Sequence, residues 1–356
     1  MNAKAQNTNN PWLHRFAVLT AVITFLLLGI GGLVTSHEAG MSVPDWPTSY
    51  GYNMFALPVK FWKGGAFFEH SHRLLASGAG LLTTILAVWL WLKDSRKWMK
   101  WLGVIAFLLV VAQGVLGGLR VTLKMDNLGV VHGVIGQSFF ILMCAIALFT
   151  SRFWGKWSAG ETTSCVTRGL WTLVLATTIL IFCQLVLGAT MRGQHAGLAI
   201  PDFPLAHGKI WPATDAAAVA RYNANRIEMN GENPITSFQI VLQMVHRIVA
   251  LAVFILVATA AWLSWKRPGG KNPLAKLAVF WLAFIVCQIA LGAWTIWSNK
   301  AADVATLHVL VGALSLMAGA LWCIIAFGRR EGAAKTAPAK TTSSAFGRSP
   351  VLAANK

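Results

Sequence analysis

Gly40-Met41-Ser42-Val43-Pro44-Asp45-Trp46-Pro47 and Gly197-Leu198-Ala199-Ile200-Pro201-Asp202-Phe203-Pro204 carry one pattern, G-x-x-x-P-D-aromatic-P, repeated 157 residues apart. Each copy follows one long apolar block and precedes another, and the following block carries a His-Arg pair, His72-Arg73 in the first copy and His246-Arg247 in the second. Two blocks further on stands a single histidine, His132 and then His308. Three blocks also share Q-x-x-L-G-small, at Gln113, Gln184 and Gln288. Matches in the same order in both halves are the mark of an internal duplication. Each half reads as a four-helix bundle, an architecture that builds its sites between facing helices.

The blocks themselves set the fold class. The chain has 356 residues, of which 56% are hydrophobic and 12% charged, with a mean hydropathy of +0.59. A soluble domain of this length needs more charge to cover its surface. Membrane helices need about 20 apolar residues to cross a core roughly 30 Å thick. Eight such segments lie near 16–36, 70–92, 101–119, 129–150, 169–190, 240–264, 277–297 and 304–327. The sequence thus predicts an all-α polytopic membrane protein, with eight transmembrane helices as two pseudo-symmetric four-helix bundles. Tryptophans at block ends, among them Trp89, Trp91, Trp98, Trp101, Trp262, Trp265, Trp294 and Trp297, fit an interfacial aromatic belt.

The formal net charge is +18, but the basic residues sit in short segments between apolar blocks and form no basic domain. That distribution speaks for topology and anionic-lipid contact and against nucleic-acid binding. With the N-terminus inside, nineteen Lys and Arg residues fall on inner segments and nine on outer ones, so both termini are expected in the cytoplasm. The expected divisions are a cytoplasmic segment 1–15, a first half 16–150, a cytoplasmic linker 151–168, a second half 169–327 and a disordered cytoplasmic tail 328–356. The first apolar block is long and follows a short polar start, as in a first membrane helix rather than a cleaved signal peptide. The five cysteines form no C-x-x-C, and disulfides are not expected.

Ionisable residues within membrane helices are costly and usually functional. His72, His132, His246 and His308 recur in register at the outer ends of even-numbered helices. Two imidazoles facing each other across a bundle supply both axial bonds of a haem iron; a lone helical histidine is more often a hydrogen-bonded core residue. Gly78, Gly80, Gly129, Gly133, Gly136 and Gly312 flank these positions, as a flat macrocycle or simple small-residue packing requires. Arg73 and Arg247 are candidates for pairing with anionic propionates, or for snorkelling to lipid headgroups. The halves differ at one position: Glu69 stands three residues before His72, where Gln243 stands before His246. An acid beside one site only points to proton transfer there, against the alternative of a first-turn carboxylate serving the helix dipole. His14, His37, His70, His195 and His207 read as interface, loop or helix-edge residues.

Taken together, Glu69-His70-Ser71-His72-Arg73, His132, Gln243-Met244-Val245-His246-Arg247, His308 and the opening Gly31-Gly32-Leu33-Val34-Thr35 resemble the haem A synthase family over roughly residues 15–327. The resemblance implies conversion of haem O to haem A, one ring methyl becoming a formyl group by successive hydroxylation and dehydration. It implies a permanent haem b on His246 and His308, substrate haem O on His72 and His132, and Glu69 in catalysis. It further implies a bacterial inner membrane setting with the haem sites toward the outer face. The expected partners are a haem O synthase, an electron donor and a cytochrome oxidase subunit or assembly factor. Some bacterial members carry outer-loop cysteine pairs; here the outer loops hold no cysteine. The competing readings are a two-haem electron carrier and a haem chaperone or transporter using the same histidines.

Overall fold

The computed structural model describes residues 10–158, 166–225, 234–267 and 269–336. It is built from α1 (Pro11–Ser36), α2 (Gly65–Lys93), α3 (Lys97–Thr122), α4 (Asp126–Phe149), α5 (Arg152–Ser158), α6 (Arg168–Gly193), α7 (Ala216–Ala224), α8 (Ser237–Lys266), α9 (Pro273–Trp297) and α10 (Ala302–Thr336). Among the described residues there is no β-strand, only two isolated bridges in the loops. Eight of these helices, all but α5 and α7, are long and apolar enough to cross a membrane, and the chain is a multi-pass membrane protein.

Capping residues set where several helices begin. The Asn10 side chain accepts from the N–H groups of Trp12 and Leu13, with Pro11 at the first helical position, so α1 starts five residues before the predicted boundary. Thr236 and Gln239 form a reciprocal capping box at the head of α8. Asn272 followed by Pro273 opens α9, and Thr167 caps α6. Each such cap stabilises its helix by about 1 kcal/mol.

Packing falls into two closed rings. Helices α1 to α4 each contact the next, and α4 returns to α1; α6, α8, α9 and α10 do the same. The first ring surrounds a core of Leu13, Leu86, Met99, Phe139, Met143 and Ile146, and the second a core including Val174, Val257, Trp281, Leu316 and Trp322. The rings meet where α1 and α4 lie against α10 and α6. At that seam Arg192 Nη2 donates to Gly32 O (2.6 Å) and Ser36 Oγ (2.5 Å), and the Ser36 and Thr306 hydroxyls lie 3.2 Å apart. Large apolar side chains such as Leu26, Leu81 and Phe280 point outward, as lipid contact requires. Trp91, Trp101, Trp262, Trp265, Trp294 and Trp297 are also exposed.

Two segments differ from the sequence expectation. The stretch 151–168 contains α5, held against α10 by the Trp157 indole N–H donating to Ile325 O (2.8 Å). The last helix runs to Thr336 and takes in the beginning of the expected disordered tail, because Ala333 and Ala334 favour helix and no proline intervenes before that point. The remaining tail, the residues before Asn10 and Cys165 lie outside the described residues.

Candidate functional site

The four singled-out histidines enter at the same depth. His72 is the eighth residue of α2, His132 the seventh of α4, His246 the tenth of α8 and His308 the seventh of α10. All four therefore lie about two to three turns below the end covered by the two long loops. In the first ring His72 and His132 face each other with ring centroids 6.4 Å apart. In the second, His308 is close enough to His246 to act on it electrostatically. The imidazole Nδ1 atoms of His132, His246 and His308 are buried without a hydrogen-bond partner. Buried polar atoms are ordinarily paired, so these orphaned nitrogens, each lying beside a glycine of the neighbouring helix, leave each ring with bonding capacity to give to a bound group. In the first ring Gly78, Gly80 and Gly133 have nothing within 4 Å of where a Cβ would stand, whereas Gly129, Gly136 and Gly312 stand close against Arg120, Gln113 and Gln288. This donor set fits a planar group with two axial imidazoles.

Above each pair sits one copy of the repeated loop. Asp45 accepts from the N–H groups of Tyr50 (2.6 Å) and Gly51 (2.9 Å); Asp202 accepts from His207 (2.7 Å) and Gly208 (2.8 Å). Tyr50 and His207 both take a left-handed backbone (φ 53° and 50°), as do the glycines that follow (φ 77° and 72°). Tyr50 donates its hydroxyl to Ser42 O (2.5 Å), and His207 Nε2 lies 3.1 Å from Ala199 O, the matching carbonyl. Burial pushes the Asp45 carboxyl up, but hydrogen bonds from Thr48, Gly51 and Tyr50 outweigh it and hold the group below the usual carboxylate range. His207 is displaced downward, by burial first and by Arg247 as well, against the opposing pull of Ala199 O and Asp202.

Glu69 and Gln243 tie these loops to the helices. Glu69 is 4% exposed, and its Oε2 accepts from Val43 N–H (2.9 Å) while Oε1 pairs with Arg73 Nη2 (2.7 Å). Gln243 Oε1 accepts from Ile200 N–H (2.7 Å), the residue matching Val43, and its Nε2 donates to Gly197 O and Ile200 O. The acid and the amide thus make the same contact to the loop N–H, but only Glu69 also pairs with the following arginine, so both its carboxylate oxygens are engaged.

The two arginines after the histidines turn toward the loops. Arg73 donates to Asp45 O (2.7 Å), Thr48 O (3.0 Å) and Val43 O (3.0 Å), with Ser49 Oγ at 3.4 Å. Arg247 donates to Leu205 O (2.8 Å) and Asp202 O (2.8 Å) and lies over the Phe203 ring. The expectation that they reach propionates meets a competing fact: their terminal nitrogens clamp loop carbonyls. Two cations that the sequence reading passed over also stand at this end of the bundle: Arg120, whose guanidinium lies against Gly40 and Gly129, and Arg192, which donates to Gly32 O and Ser36 Oγ. Their signal was weak, because each is one of several basic residues near a helix end.

The remaining histidines divide. His70 is 1% exposed, edge-on to Trp62 (4.7 Å), with neither ring nitrogen partnered, so it is a core residue under the loop rather than an edge one. The cause is Trp62, which folds over from the preceding loop. His37 stacks on Phe68 (4.1 Å), and Glu38 is largely exposed with His195 at 3.8 Å.

The chain is similar to proteins named heme A synthase. That of Rhizorhabdus wittichii is 28% identical over 345 residues, covering 87% of this chain and 92% of its own. That of Shewanella oneidensis is 25% identical over 331 residues (86% and 93%), and that of Halalkalibacterium halodurans 23% over 308 (84% and 93%). The sequence profile of the COX15-CtaA family, cytochrome oxidase assembly protein, matches residues 14–320. With the match running from the first helix into the last, the chain belongs to the COX15-CtaA family of cytochrome oxidase assembly proteins.

Proposed function

We propose that this protein is a haem A synthase of a bacterial inner membrane, an oxidoreductase that takes haem O and converts one ring methyl to the formyl group of haem A for cytochrome oxidase assembly. The observation that carries the reading is the pair of histidine pairs at one depth under matched loops, with an acid, Glu69, in the first half where Gln243 stands in the second. His72 and His132 receive the substrate haem O; His246 and His308 hold a resident haem b, which supplies redox chemistry when bound. The two halves are the working units, residues 16–150 for substrate and 169–327 for haem b, with both termini cytoplasmic and the sites near the outer face.

Glu69 Oε2 is the proton-accepting atom, since its only partner is Val43 N–H, whereas Oε1 stays on the Arg73 guanidinium. The loop 40–52 closes the bundle end and keeps water from the reacting methyl. Arg120 and Arg192 supply positive charge at the two sites, and Arg73 and Arg247 hold the loops that cover them. A haem O synthase, an electron donor and the recipient oxidase or its assembly factors complete the set of partners.

Co-expression with a haem O synthase, followed by extraction of non-covalent haems and identification by mass, tests this. Haem A appearing only with the intact chain supports the reading. Haem b alone, with haem O unaltered, would instead make the chain an electron carrier or haem handler.

A further inference from the structure

The shared Q-x-x-L-G motif has a use that its sequence does not announce. A Cβ built on Gly117 would stand 3.4 Å from Cε1 of His132, one on Gly188 3.3 Å from Cε1 of His246, and one on Gly292 3.2 Å from Cε1 of His308. Each of these imidazoles therefore rests on bare backbone of the neighbouring helix. One turn earlier on that helix stands the motif glutamine. Gln113 Nε2 donates to His132 O (3.0 Å), Gln184 Nε2 to His246 O (2.9 Å), and Gln288 Nε2 lies 3.3 Å from His308 Nε2. The carbonyl oxygens of all three glutamines are buried without a donor, and so are the three Nδ1 atoms. An acceptor and a ring nitrogen, both unpartnered, recur in the same cradle three times.

The fourth cradle is different. His72 rests on Gly31 of α1, the match of Gly188, but the residue that matches Gln184 is Leu27. Leucine offers no hydrogen bond. His72 also presents another edge, with Nε2 (3.2 Å) and Cδ2 (3.4 Å) nearest the glycine, where the other three present Cε1 and Nδ1. Outer groups that orient a ligating imidazole are typically worth about 10- to 100-fold in metal affinity.

We propose that Gln113 and Gln184 are positioning residues that anchor the turns carrying His132 and His246 by their main-chain carbonyls, that Gln288 does so for His308 at its ring, and that Leu27 leaves His72 unanchored as the exchangeable ligand. The first-half haem is then the one built to depart. This rests on the reading of the four histidines as haem ligands.

The test uses the full-length protein in detergent, loaded with haem b in the second half and haem O in the first. Transfer of each haem to excess apomyoglobin is followed optically, and the low-spin ferric signal of each site by electron paramagnetic resonance. Gln184→Leu is expected to speed release of haem b at least about tenfold and to shift its low-spin signal. Leu27→Gln, which installs the residue native to the other half, slows release of haem O by a similar factor. Release within twofold of the unaltered protein in both Gln184→Leu and Leu27→Gln would overturn the proposal. Absence of any bis-histidine low-spin signal in the unaltered protein would overturn the haem-ligand reading itself, a separately visible failure.

Discussion

Replacing Glu69 separates its two roles, because the second half already displays the neutral substitute. Glu69→Ala removes both partners at once. Breaking a buried ion pair costs about 3–5 kcal/mol, and Arg73 keeps four loop oxygens as acceptors, which places the loss near the lower end. The stranded Val43 N–H adds about 1 kcal/mol more. A total of about 4 kcal/mol corresponds to a fall in Tm of roughly 10 °C. Glu69→Gln keeps an oxygen for Val43 N–H, as Gln243 does for Ile200, and loses only the charge opposite Arg73. It still breaks the ion pair and should cost about 3 kcal/mol, one hydrogen bond less than the Ala variant, with a shift in Tm of ~7 °C. Haem A formation should nevertheless drop by a factor of about 10² or more in both variants, since an amide does not accept the proton. Thermal unfolding in detergent and haem extraction from the same preparations read the two effects separately. Full haem A formation by Glu69→Gln would refute a catalytic carboxylate. An Ala variant as stable as the unaltered chain would refute the loop lock.

Other expectations follow from the same contacts. His308→Ala should abolish the low-spin haem b spectrum, while His72→Ala should leave that spectrum in place and abolish haem A formation; pyridine haemochrome and mass analysis distinguish them. The His207 pKa is depressed, so its neutral form stabilises the second loop fully above pH 6.5, and that contribution fades as pH falls below this value. The protection factor of the Gly208 amide should fall on acidification, and His207→Tyr, which copies the Tyr50 lock, should remove that dependence below pH 6.5. Asp45→Ala should expose the 45–52 turn to limited proteolysis, because the N–H groups of Tyr50 and Gly51 lose their acceptor. Cysteines placed at Asn53 and at Lys340 should react with an impermeant thiol reagent from opposite sides of the membrane; labelling from one side would refute the topology.

The spans were legible because only long apolar runs fit a bilayer, and the histidines because a duplication repeats them in register. Helix starts were less so: the Asn10-Pro11 and Thr236-x-x-Gln239 caps are short polar signals beside long apolar ones. Apart from the i,i+4 pair of Arg73 with Glu69, the destinations of Arg73 and Arg247 were not legible, since most of their partners are main-chain carbonyls that any residue supplies. The Q-x-x-L-G motif was visible as a repeat, yet its target histidines lie 19 to 62 positions away and emerge only when the helices pack. Helix α5 was hidden in a seven-residue stretch, too short for a hydrophobic period to declare itself.

The shared lock on Val43 and Ile200 also bears on how two copies of one ancestral bundle come to differ. A main-chain N–H is satisfied by a carboxylate or by a carboxamide, so backbone geometry at this position does not select between them. A change between them alters the charge beside one histidine pair and leaves the loop contact in place. Such a position lets the two halves of a duplicated bundle differ in charge at their histidines while sharing one loop anchor.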